Sequence, residues 1–301
     1  MASPQATKLK EAFRMFRDQS IGKPQASLAE MRAAGLAFGN LTSEPAGVTC
    51  TAVNAGGVPA QWLTPQGAST DRVLMYVHGG GYVMMSAETH RKMVGHIAKA
   101  TGCRALNVDY RLAPEHPHPA AVNDAVTAYQ WLLSQGIQPQ HIAIAGDSAG
   151  GGLCLATALK LRDMNVSLPA ALAPISPWTD MEGTGASMKS RAAVDMIVTP
   201  AAITQLGGVF LKGGSPRDPY ASPLHAELKG LPPIYIQVGD EEVLLDDSTR
   251  FAAKAKQAGV EVAIEIFPEM QHVFQIAAGN MPEADAAVAK IGAWLKAKLA
   301  L

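Results

Sequence analysis

The stretch "IAIAGDSAGGGL", residues 142–153, joins a short apolar run to a segment rich in glycine and alanine. This pattern predicts a buried strand that turns sharply into a helix. At the turn, Gly146 and Gly150 flank Ser148 two positions away on either side, and small neighbours relieve the crowding of such a corner. A serine presented there can act as a nucleophile once a base takes its proton. The alternative is an ordinary glycine-rich turn, because G-x-S-x-G also arises by chance.

A second glycine-rich stretch, "YVHGGGYV" at residues 76–83, follows another apolar run. Consecutive glycines leave backbone N–H groups accessible, and a tetrahedral oxyanion needs donors at about 2.7–3.1 Å. The alternatives are a flexible turn and a phosphate-binding loop. The phosphate loop is disfavoured because no G-K-[ST] follows the glycines.

Strand-like and helix-like segments alternate along most of the chain. Apolar or β-branched runs predict strands at 48–55, 58–65, 73–80, 103–110, 141–146, 170–176, 233–239 and 260–267. Helical spacing predicts helices at about 87–101, 119–135, 150–163, 246–258 and 283–299. This alternation predicts an α/β fold with a mostly parallel sheet covered on both faces. A short Gly-Gly connection joins the first two strands, so we expect these to be antiparallel at one edge.

Two segments do not fit the alternation. Residues 1–40 contain helix-like stretches before any strand, and residues 181–229 separate two predicted core strands by an unusually long connection. Long insertions often form lids or binding elements, so we expect both to form one helical cap. The predicted division is 1–45 for the first part of the cap, 46–180 for the core, 181–229 for the second part of the cap and 230–301 for the rest of the core.

Composition excludes several classes of protein. The chain has 301 residues with 48% hydrophobic and 17% charged residues, which describes a globular protein. Its net charge of −1 gives no reason to expect nucleic acid or an anionic membrane as a partner. No apolar stretch is long enough for a membrane helix, and the N-terminus lacks the apolar core of a secretory signal. A cytoplasmic location is therefore expected.

The three cysteines, Cys50, Cys103 and Cys154, are far apart and odd in number. This usage fits a reducing compartment, and each cysteine is interpreted as a small core residue. Their spacing does not resemble a metal site, so no metal is predicted.

The two motifs and three further stretches resemble one known family. "HGGG" is followed by "GDSAGG", and "VDYRLAPEHPHPAA" (108–121), "SPWTD" (176–180) and "DPYASPL" (218–224) are also similar to that family's pattern. The chain thus resembles the hormone-sensitive-lipase-like bacterial carboxylesterases over roughly residues 73–275. The resemblance implies an α/β-hydrolase fold of eight strands with a helical cap, and a Ser…Asp/Glu…His catalytic order. It also implies a nucleophile at Ser148, oxyanion donors at the N–H groups of Gly80, Gly81 and Ala149, and no cofactor.

The resemblance places the catalytic histidine at His272, in "FPEMQHVF" after the last predicted strand. His78 belongs to the glycine loop, and the family uses it to shape that loop. Among the remaining histidines, His225 is the serious alternative, because it lies in the connection after the second cap segment.

The acid is less obvious, because "VGDEEVLLDDS" offers several carboxylates. The family's D-P-L-x-D-E pattern places the acid at Glu242, where most relatives have Asp. Glutamate is chemically adequate, since the acid only orients the histidine and stabilises its cation. Asp240 is the alternative, whereas Asp246 and Asp247 are expected to cap the helix that follows.

Other residues are given supporting roles. Asp109, Tyr110 and Arg111 resemble a segment beneath the oxyanion loop, where a buried ion pair would fix its shape; simple surface charges are the alternative. Asp147 is interpreted as an anchor of the serine turn or as a solvent-facing residue. Four apolar residues of the cap segments are candidates for an acyl pocket, with plain packing as the alternative: Phe13, Phe16, Met196 and Phe210.

The resemblance implies a serine carboxylesterase that hydrolyses short- to medium-chain acyl esters through an acyl-enzyme. Ester and water would be its partners, without nucleic acid or stable membrane association, and a homodimer is plausible. A neutral histidine base predicts activity that rises through about pH 6 to 7. Two alternatives remain: the same residues acting on amides, lactones or acetylated small molecules, and a non-catalytic binding protein.

Overall fold

One eight-stranded sheet forms the centre of the computed structural model, which describes residues 2–19 and 27–301. The strand order is β1-β2-β4-β3-β5-β6-β7-β8. β1 pairs with β2 and β2 with β4 in antiparallel fashion, and every other neighbouring pair is parallel. The strands are β1 (Val48–Ala55), β2 (Val58–Pro65), β3 (Ser69–Val77), β4 (Cys103–Val108), β5 (Ile142–Asp147), β6 (Ala171–Ile175), β7 (Ile234–Gly239) and β8 (Val262–Phe267).

All eight predicted strands and the antiparallel edge are confirmed, with shifted ends. β3 stops at Val77 instead of residue 80, because Gly80 and Gly81 have φ of +107° and +63° and the chain leaves the sheet there. β4 likewise ends at Val108, so Asp109 and Tyr110 lie beyond it.

The helices cover both faces of the sheet. In the described residues they are α1 (Pro4–Gln19), α2 (Leu28–Phe38), α3 (Ala87–Thr101), α4 (Ala120–Ser134), α5 (Ala149–Asp163), α6 (Ser187–Ser190), α7 (Pro200–Leu211), α8 (Leu245–Gln257) and α9 (Pro282–Lys298). The five predicted core helices are α3, α4, α5, α8 and α9, each within one residue of the expected ends. One buried cluster joins α4, α5 and α8 to the sheet, and a second joins α3 and α9 to its other face.

The interpretation of Cys50 as a core residue is wrong. Cys103 and Cys154 are buried, but Cys50 is exposed. It lies on β1, an edge strand whose side chains are mostly accessible, so an apolar-looking run there does not mark the interior.

The two segments outside the alternation form helices. α1 and α2 precede the sheet, whereas α6 and α7 lie within residues 181–229, between β6 and β7. Met1 and residues 20–26 of the first predicted cap segment lie outside the described residues. The division into core and cap stays a prediction. Among the described residues, no helix has the length and apolar character needed to cross a membrane.

Candidate active site

Ser148 occupies a strained corner between β5 and α5. Its φ and ψ are 55° and −121°, in a region that non-glycine residues rarely adopt. The strain is held by backbone hydrogen bonds: Ser148 N–H donates to the Ile175 carbonyl (2.8 Å), and the Ser148 carbonyl accepts from Trp178 N–H (2.9 Å). A Cβ at Gly146 or Gly150 would overlap the Val77 carbonyl oxygen, which explains the G-x-S-x-G spacing.

Asp147 anchors this corner, as one of its two interpretations predicted. It is buried, and its Oδ1 accepts hydrogen bonds from Tyr76 Oη–H (2.8 Å) and Gly79 N–H (3.1 Å). Its Oδ2 lies 3.3 Å from His90 Nε2. Burial alone would raise the pKa of Asp147, but His90 and Tyr76 stabilise the anion and lower it below its usual value. The carboxylate therefore ties β5 to the glycine loop and to α3.

His272 and Glu242 form a buried pair. The imidazole Nδ1 lies 2.8 Å from Glu242 Oε2, and the two residues are 4% and 0% exposed. Glu242 Oε1 accepts from Ser176 Oγ–H (2.7 Å) and from Gly239 N–H (2.5 Å). Ser176 and Gly239 thus hold Oε1 of the carboxylate, and Oε2 faces the imidazole.

The charge state of His272 follows from this pairing. Burial by itself would lower its pKa, because it disfavours the cation. The Glu242 carboxylate opposes this most, with smaller help from Asp195 and Asp147, and the net result raises the pKa above 6.5. This arrangement stabilises an imidazolium that forms during a reaction.

The alternative acid and base lie in other surroundings. Asp240 Oδ1 accepts a hydrogen bond from Glu269 N–H (2.7 Å), and Glu242 is the carboxylate hydrogen-bonded to His272. His225 Nε2 lies 3.6 Å from Asp180 Oδ1 and 3.4 Å from Glu182 Oε2. The expectation that Asp246 and Asp247 cap a helix is wrong: both lie inside the first turn of α8, and each binds backbone N–H groups of residues 179–187.

The glycine loop runs along the same cavity. Gly80 and Gly81 line it with Ser148 and His272, and Ala149 is the first residue of α5. None of these three N–H groups donates a hydrogen bond within residues 2–19 and 27–301. A Cβ at Gly80 would overlap the Met84 carbonyl oxygen, so only glycine fits there.

His78 and Tyr110 support the loop from below. Their rings stack with centroids 4.3 Å apart, and Tyr110 Oη–H donates to the His78 carbonyl (2.7 Å). Burial lowers the pKa of His78 to about 3, so it stays neutral and structural. The expectation of a buried ion pair in this segment is wrong: Arg111 is half exposed and pairs with Asp124 (2.7 Å), and Asp109 accepts a hydrogen bond from Ala87 N–H (2.9 Å).

Ser148 and His272 both line a cavity of about 70 Å³. No hydrogen bond joins their side chains among the described contacts; such bonds often tighten only when substrate binds. The walls are mostly apolar and comprise Phe16, Phe38, Met84, Met85, Trp178, Ile197, Val198, Ala202, Ile203, Leu206 and Val273.

Of the four apolar candidates for the pocket, only Phe16 lines this cavity. Phe13 is buried against Phe38 with ring centroids 5.9 Å apart, and Phe210 stacks on Tyr82 at 3.9 Å. Met196 packs against the core cluster beneath α3 and α9. The alternative of plain packing is therefore correct for these three residues.

One cluster has the composition of a metal site. Oxygen and nitrogen atoms of Asp180, Glu182 and His225 lie within 4.8 Å of one another. Arg250 binds Asp180 at 3.0 Å, and Arg217 binds Glu182 at 2.9 Å. These guanidinium groups already supply positive charge, so the cluster is better explained as an ion-pair network.

The sequence alone did not identify five further residues: Ser176, Asp195 and Gln271, which lie beside the buried pair or its neighbours in sequence, and Tyr76 and His90, which bind Asp147. Ser176 could have been identified from the sequence, because it is the first residue of the quoted "SPWTD" stretch. The others carry no local signal, because a buried polar residue on an apolar segment acquires its partner only through the fold.

Known proteins share this fold and this site region. A family model described as alpha/beta hydrolase fold matches residues 74–276. The chain is 40% identical to an acetyl-hydrolase of Streptomyces hygroscopicus, over 98% of this chain and 97% of that one. It is 38% identical to an esterase of Acinetobacter venetianus, over 79% of each.

Solved structures agree. An esterase from the bacterial hormone-sensitive lipase family has a TM-score of 0.95 at 41% identity, with 99% of both chains covered. The esterase EstE5, in a crystal soaked with p-nitrophenyl butyrate, has a TM-score of 0.92 at 42% identity over the full length of both chains. Fold and site thus define an α/β hydrolase. The chain belongs to the bacterial hormone-sensitive lipase family of esterases, which confirms the resemblance and the predicted fold class.

Proposed function

We propose that the chain is a serine carboxylesterase that hydrolyses short- to medium-chain acyl esters through an acyl-enzyme, with Ser148, His272 and Glu242 as catalytic residues. The observation that carries this proposal is the buried His272–Glu242 pair, whose histidine lines the same cavity as the strained Ser148. The names of the relatives, an acetyl-hydrolase and several esterases, support the reaction class.

The reaction needs no cofactor. His272 removes the proton of Ser148 Oγ as that oxygen attacks the ester carbonyl, and the C=O electron pair moves onto the carbonyl oxygen. The N–H groups of Gly80, Gly81 and Ala149 stabilise this oxyanion. When the intermediate collapses, the C–O bond to the alcohol breaks and His272 gives the alcohol its proton. A water deprotonated by His272 then attacks the acyl carbon, the bond from that carbon to Ser148 Oγ breaks, and His272 returns the proton to Oγ as the carboxylic acid leaves. Glu242 orients the imidazole throughout.

The cavity supports an uncharged substrate. Its walls are largely apolar side chains, which suit an acyl group. Esters are proposed over amides and lactones because one relative is named an esterase, whereas the name acetyl-hydrolase keeps acetylated small molecules as an alternative substrate class. A panel of these substrates separates the alternatives, because the same acyl-transfer residues serve each of them.

We propose further that residues 1–45 and 181–229 form the two parts of a cap over this cavity. Phe16 and Phe38 line it from the first segment, and Ile197, Val198 and Ile203 line it from the second. Residues 46–180 and 230–301 supply Ser148, Glu242 and His272, which supports their assignment to the core.

The finer points on partners and location are proposals as well. A net charge of −1 supports a protein that does not bind nucleic acid. Free thiols at all three cysteines support a cytoplasmic location. A homodimer rests on the family resemblance, and size-exclusion chromatography with light scattering tests it.

The experiment is hydrolysis of p-nitrophenyl esters from acetyl to palmitoyl, by wild type and Ser148→Ala. The EstE5 crystal soaked with p-nitrophenyl butyrate makes the butyrate ester a suitable reference. We expect activity on short chains and a loss of about 10³-fold or more in kcat for the mutant. A folded wild type that hydrolyses no ester, or a mutant that remains active, would overturn the proposal.

A further inference from the structure

Residues 194–198, "VDMIV", lie between the two loops that carry the proposed acid and base. We call this segment the strap. On one side, Asp195 Oδ2 accepts a hydrogen bond from Val243 N–H (2.9 Å), the peptide directly after Glu242. On the other side, Gln271, directly before His272, donates to the Val194 carbonyl (2.9 Å) and accepts from Met196 N–H (2.6 Å). The strap thus forms hydrogen bonds to Val243, which follows Glu242 in the sequence, and to Gln271, which precedes His272.

Asp195 also orders the strap itself. Its Oδ1 accepts from Ile197 N–H (3.0 Å) and Val198 N–H (2.8 Å), and these two residues line the cavity beside Ser148. The side chain is completely buried, and its three N–H donors come from two separate segments. One carboxylate therefore fixes the cavity wall relative to the acid loop.

Gln271 makes a third contact through Nε2, which also donates to Glu241 Oε2 (2.6 Å). Glu241 in turn pairs with Lys10 of α1 at 2.6 Å. Two of the three bonds of this buried amide are made to the strap, and the third is made to the residue directly before Glu242. Nothing in the acyl-transfer mechanism described above uses either Gln271 or Asp195.

We propose that Asp195 and Gln271 are positioning residues for ester hydrolysis, with the strap holding Glu242 and His272 in register across the cavity. The proposal rests on the proposed function, because it assigns these residues an effect on that reaction. Neither residue touches the reacting atoms; each acts through the backbone of the residue next to the acid or the base. Positioning of this kind matters because a misplacement of 1 Å can cost about 100-fold in rate.

The charge on Asp195 provides a second, electrostatic link. Burial raises the pKa of Asp195 to about 6, opposed by His272 and by the three N–H donors, so it is largely ionised above neutral pH. Its anion in turn adds to that of Glu242 in favouring the imidazolium of His272. Asp147 makes a smaller contribution of the same sign to the pKa of His272. Two further charged groups near these loops, Glu241 and Lys10, are paired with each other.

The test compares wild type with Asp195→Asn, measuring kcat, KM and the pH profile on p-nitrophenyl butyrate. We expect kcat to fall about tenfold, because the amide cannot accept at both oxygens and the acid loop is less well held. The acid limb of the kcat/KM profile should also move to lower pH, because one anion near His272 is gone. Loss of packing alone would not move that limb.

Asp180→Asn is the matched control. Asp180 is another buried carboxylate that accepts N–H bonds within residues 181–229, but its partners are Glu182, Thr184 and Arg250. We expect it to lower the melting temperature and to leave the acid limb where it is in wild type. The proposal would be overturned if the acid limb of the Asp195→Asn profile stayed where it is in wild type, whether kcat was unchanged or reduced.

Gln271→Met keeps the proposal testable if Asp195→Asn does not fold. Methionine has similar volume and makes none of the three bonds, so we expect kcat to fall about tenfold with KM changed by less than about twofold. A wild-type kcat for this variant would also overturn the proposal. Failure of the proposed function is recognised separately, because Ser148→Ala would then keep its activity.

Discussion

At the scale of single residues, the contacts of Glu242 explain how this glutamate is held against His272. Glu242 Oε1 accepts hydrogen bonds from Ser176 Oγ–H and Gly239 N–H. These bonds prevent the carboxylate from rotating, so Oε2 stays beside the imidazole. Ser176 itself has φ of +44° and accepts from Val273 N–H (3.3 Å), beside His272. Two specific donors, Ser176 Oγ–H and Gly239 N–H, thus hold the Glu242 carboxylate.

The raised pKa of His272 predicts the pH dependence. The base must be neutral to accept the Ser148 proton, so activity should rise with pH, with a midpoint above 6.5. Glu242→Gln should lower that midpoint, because it removes the main anion that stabilises the cation. It should also reduce kcat by about 10³–10⁴-fold, because the amide does not hold the correct tautomer. Rates measured from pH 5 to 9 check both effects, and an unmoved midpoint would contradict the assignment.

Gly80 and Gly81 are predicted to differ in their tolerance of a methyl group. Gly80→Ala places Cβ against the Met84 backbone carbonyl, so we expect loss of folding or of more than about 90% of activity. Gly81→Ala meets only the Leu206 side chain, at 2.7 Å, and φ of +63° costs about 1–2 kcal/mol. It should therefore fold with a lower melting temperature and reduced kcat.

Gly136→Ala is the control for that comparison. Gly136 has φ of +83° with no atom within 4 Å of an added Cβ, so it carries the backbone cost without the clash. We expect full activity and a small decrease in melting temperature. Equal behaviour of the Gly80 and Gly136 variants would contradict the steric account.

At the scale of secondary-structure elements, α1 and α2 form one wall of the cavity. A groove between them is lined by Ala12, Met15, Phe16, Ala34, Ala37, Phe38 and Leu41. Two of its residues, Phe16 and Phe38, also line the cavity with Ser148. Their rings, 5.7 Å apart, therefore separate the cavity from the groove.

Phe16→Ala should open this separation and extend the accommodated acyl chain. We expect kcat/KM on p-nitrophenyl octanoate and decanoate to rise about tenfold relative to acetate, since each added methylene in an apolar pocket gains binding energy. Phe13→Leu, on the same helix but away from the cavity, should keep the wild-type ratio. An unchanged chain-length preference in Phe16→Ala would show that the wall lies elsewhere.

At the scale of the whole molecule, Asp247 joins α8 to the residues that directly precede the inserted segment 181–229. It is buried, and Oδ2 accepts from Thr179 N–H (2.7 Å) and Asp180 N–H (2.9 Å). Its Oδ1 has no partner among the described residues. Burial and the nearby Asp180 charge raise the pKa of Asp247 to about 7. The hydrogen bonds from its N–H partners act in the opposite direction, because they stabilise the anion.

This raised pKa predicts a stability that falls with pH. The folded state holds the proton more tightly than the unfolded chain, whose ordinary value is 3.8. The stabilisation is therefore complete below about pH 4 and is lost as pH rises through about 7. The melting temperature should fall by a few degrees between pH 5 and 8, and Asp247→Asn should flatten this slope. Asp246→Asn, a half-buried neighbour, should keep the wild-type slope.

Most of the strands and helices, as well as the serine turn, could be predicted because their signals are local. The alternation of apolar runs and helical spacing is contained in each segment, and Gly146 and Gly150 directly indicate a corner too tight for side chains. The Glu242 and His272 assignments came from the family resemblance, and the fold places His272 Nδ1 2.8 Å from Glu242 Oε2. The exposure of Cys50 was not predictable in this way, because it depends on β1 being an edge strand.

The sequence by itself determined the strand–helix order, the glycine-rich loops and the family to which the chain belongs. These follow from residue types that restrict the backbone locally and from their spacing along the chain. Only the tertiary structure decided which apolar residues line the cavity and that Asp246 binds the inserted segment, whereas Asp247 binds the residues just before it. It also decided that Asp195 and Gln271 form hydrogen bonds to the segments next to Glu242 and His272. These are contacts between segments distant along the chain. Their energies depend on burial and on hydrogen-bond partners that exist only after the segments have packed.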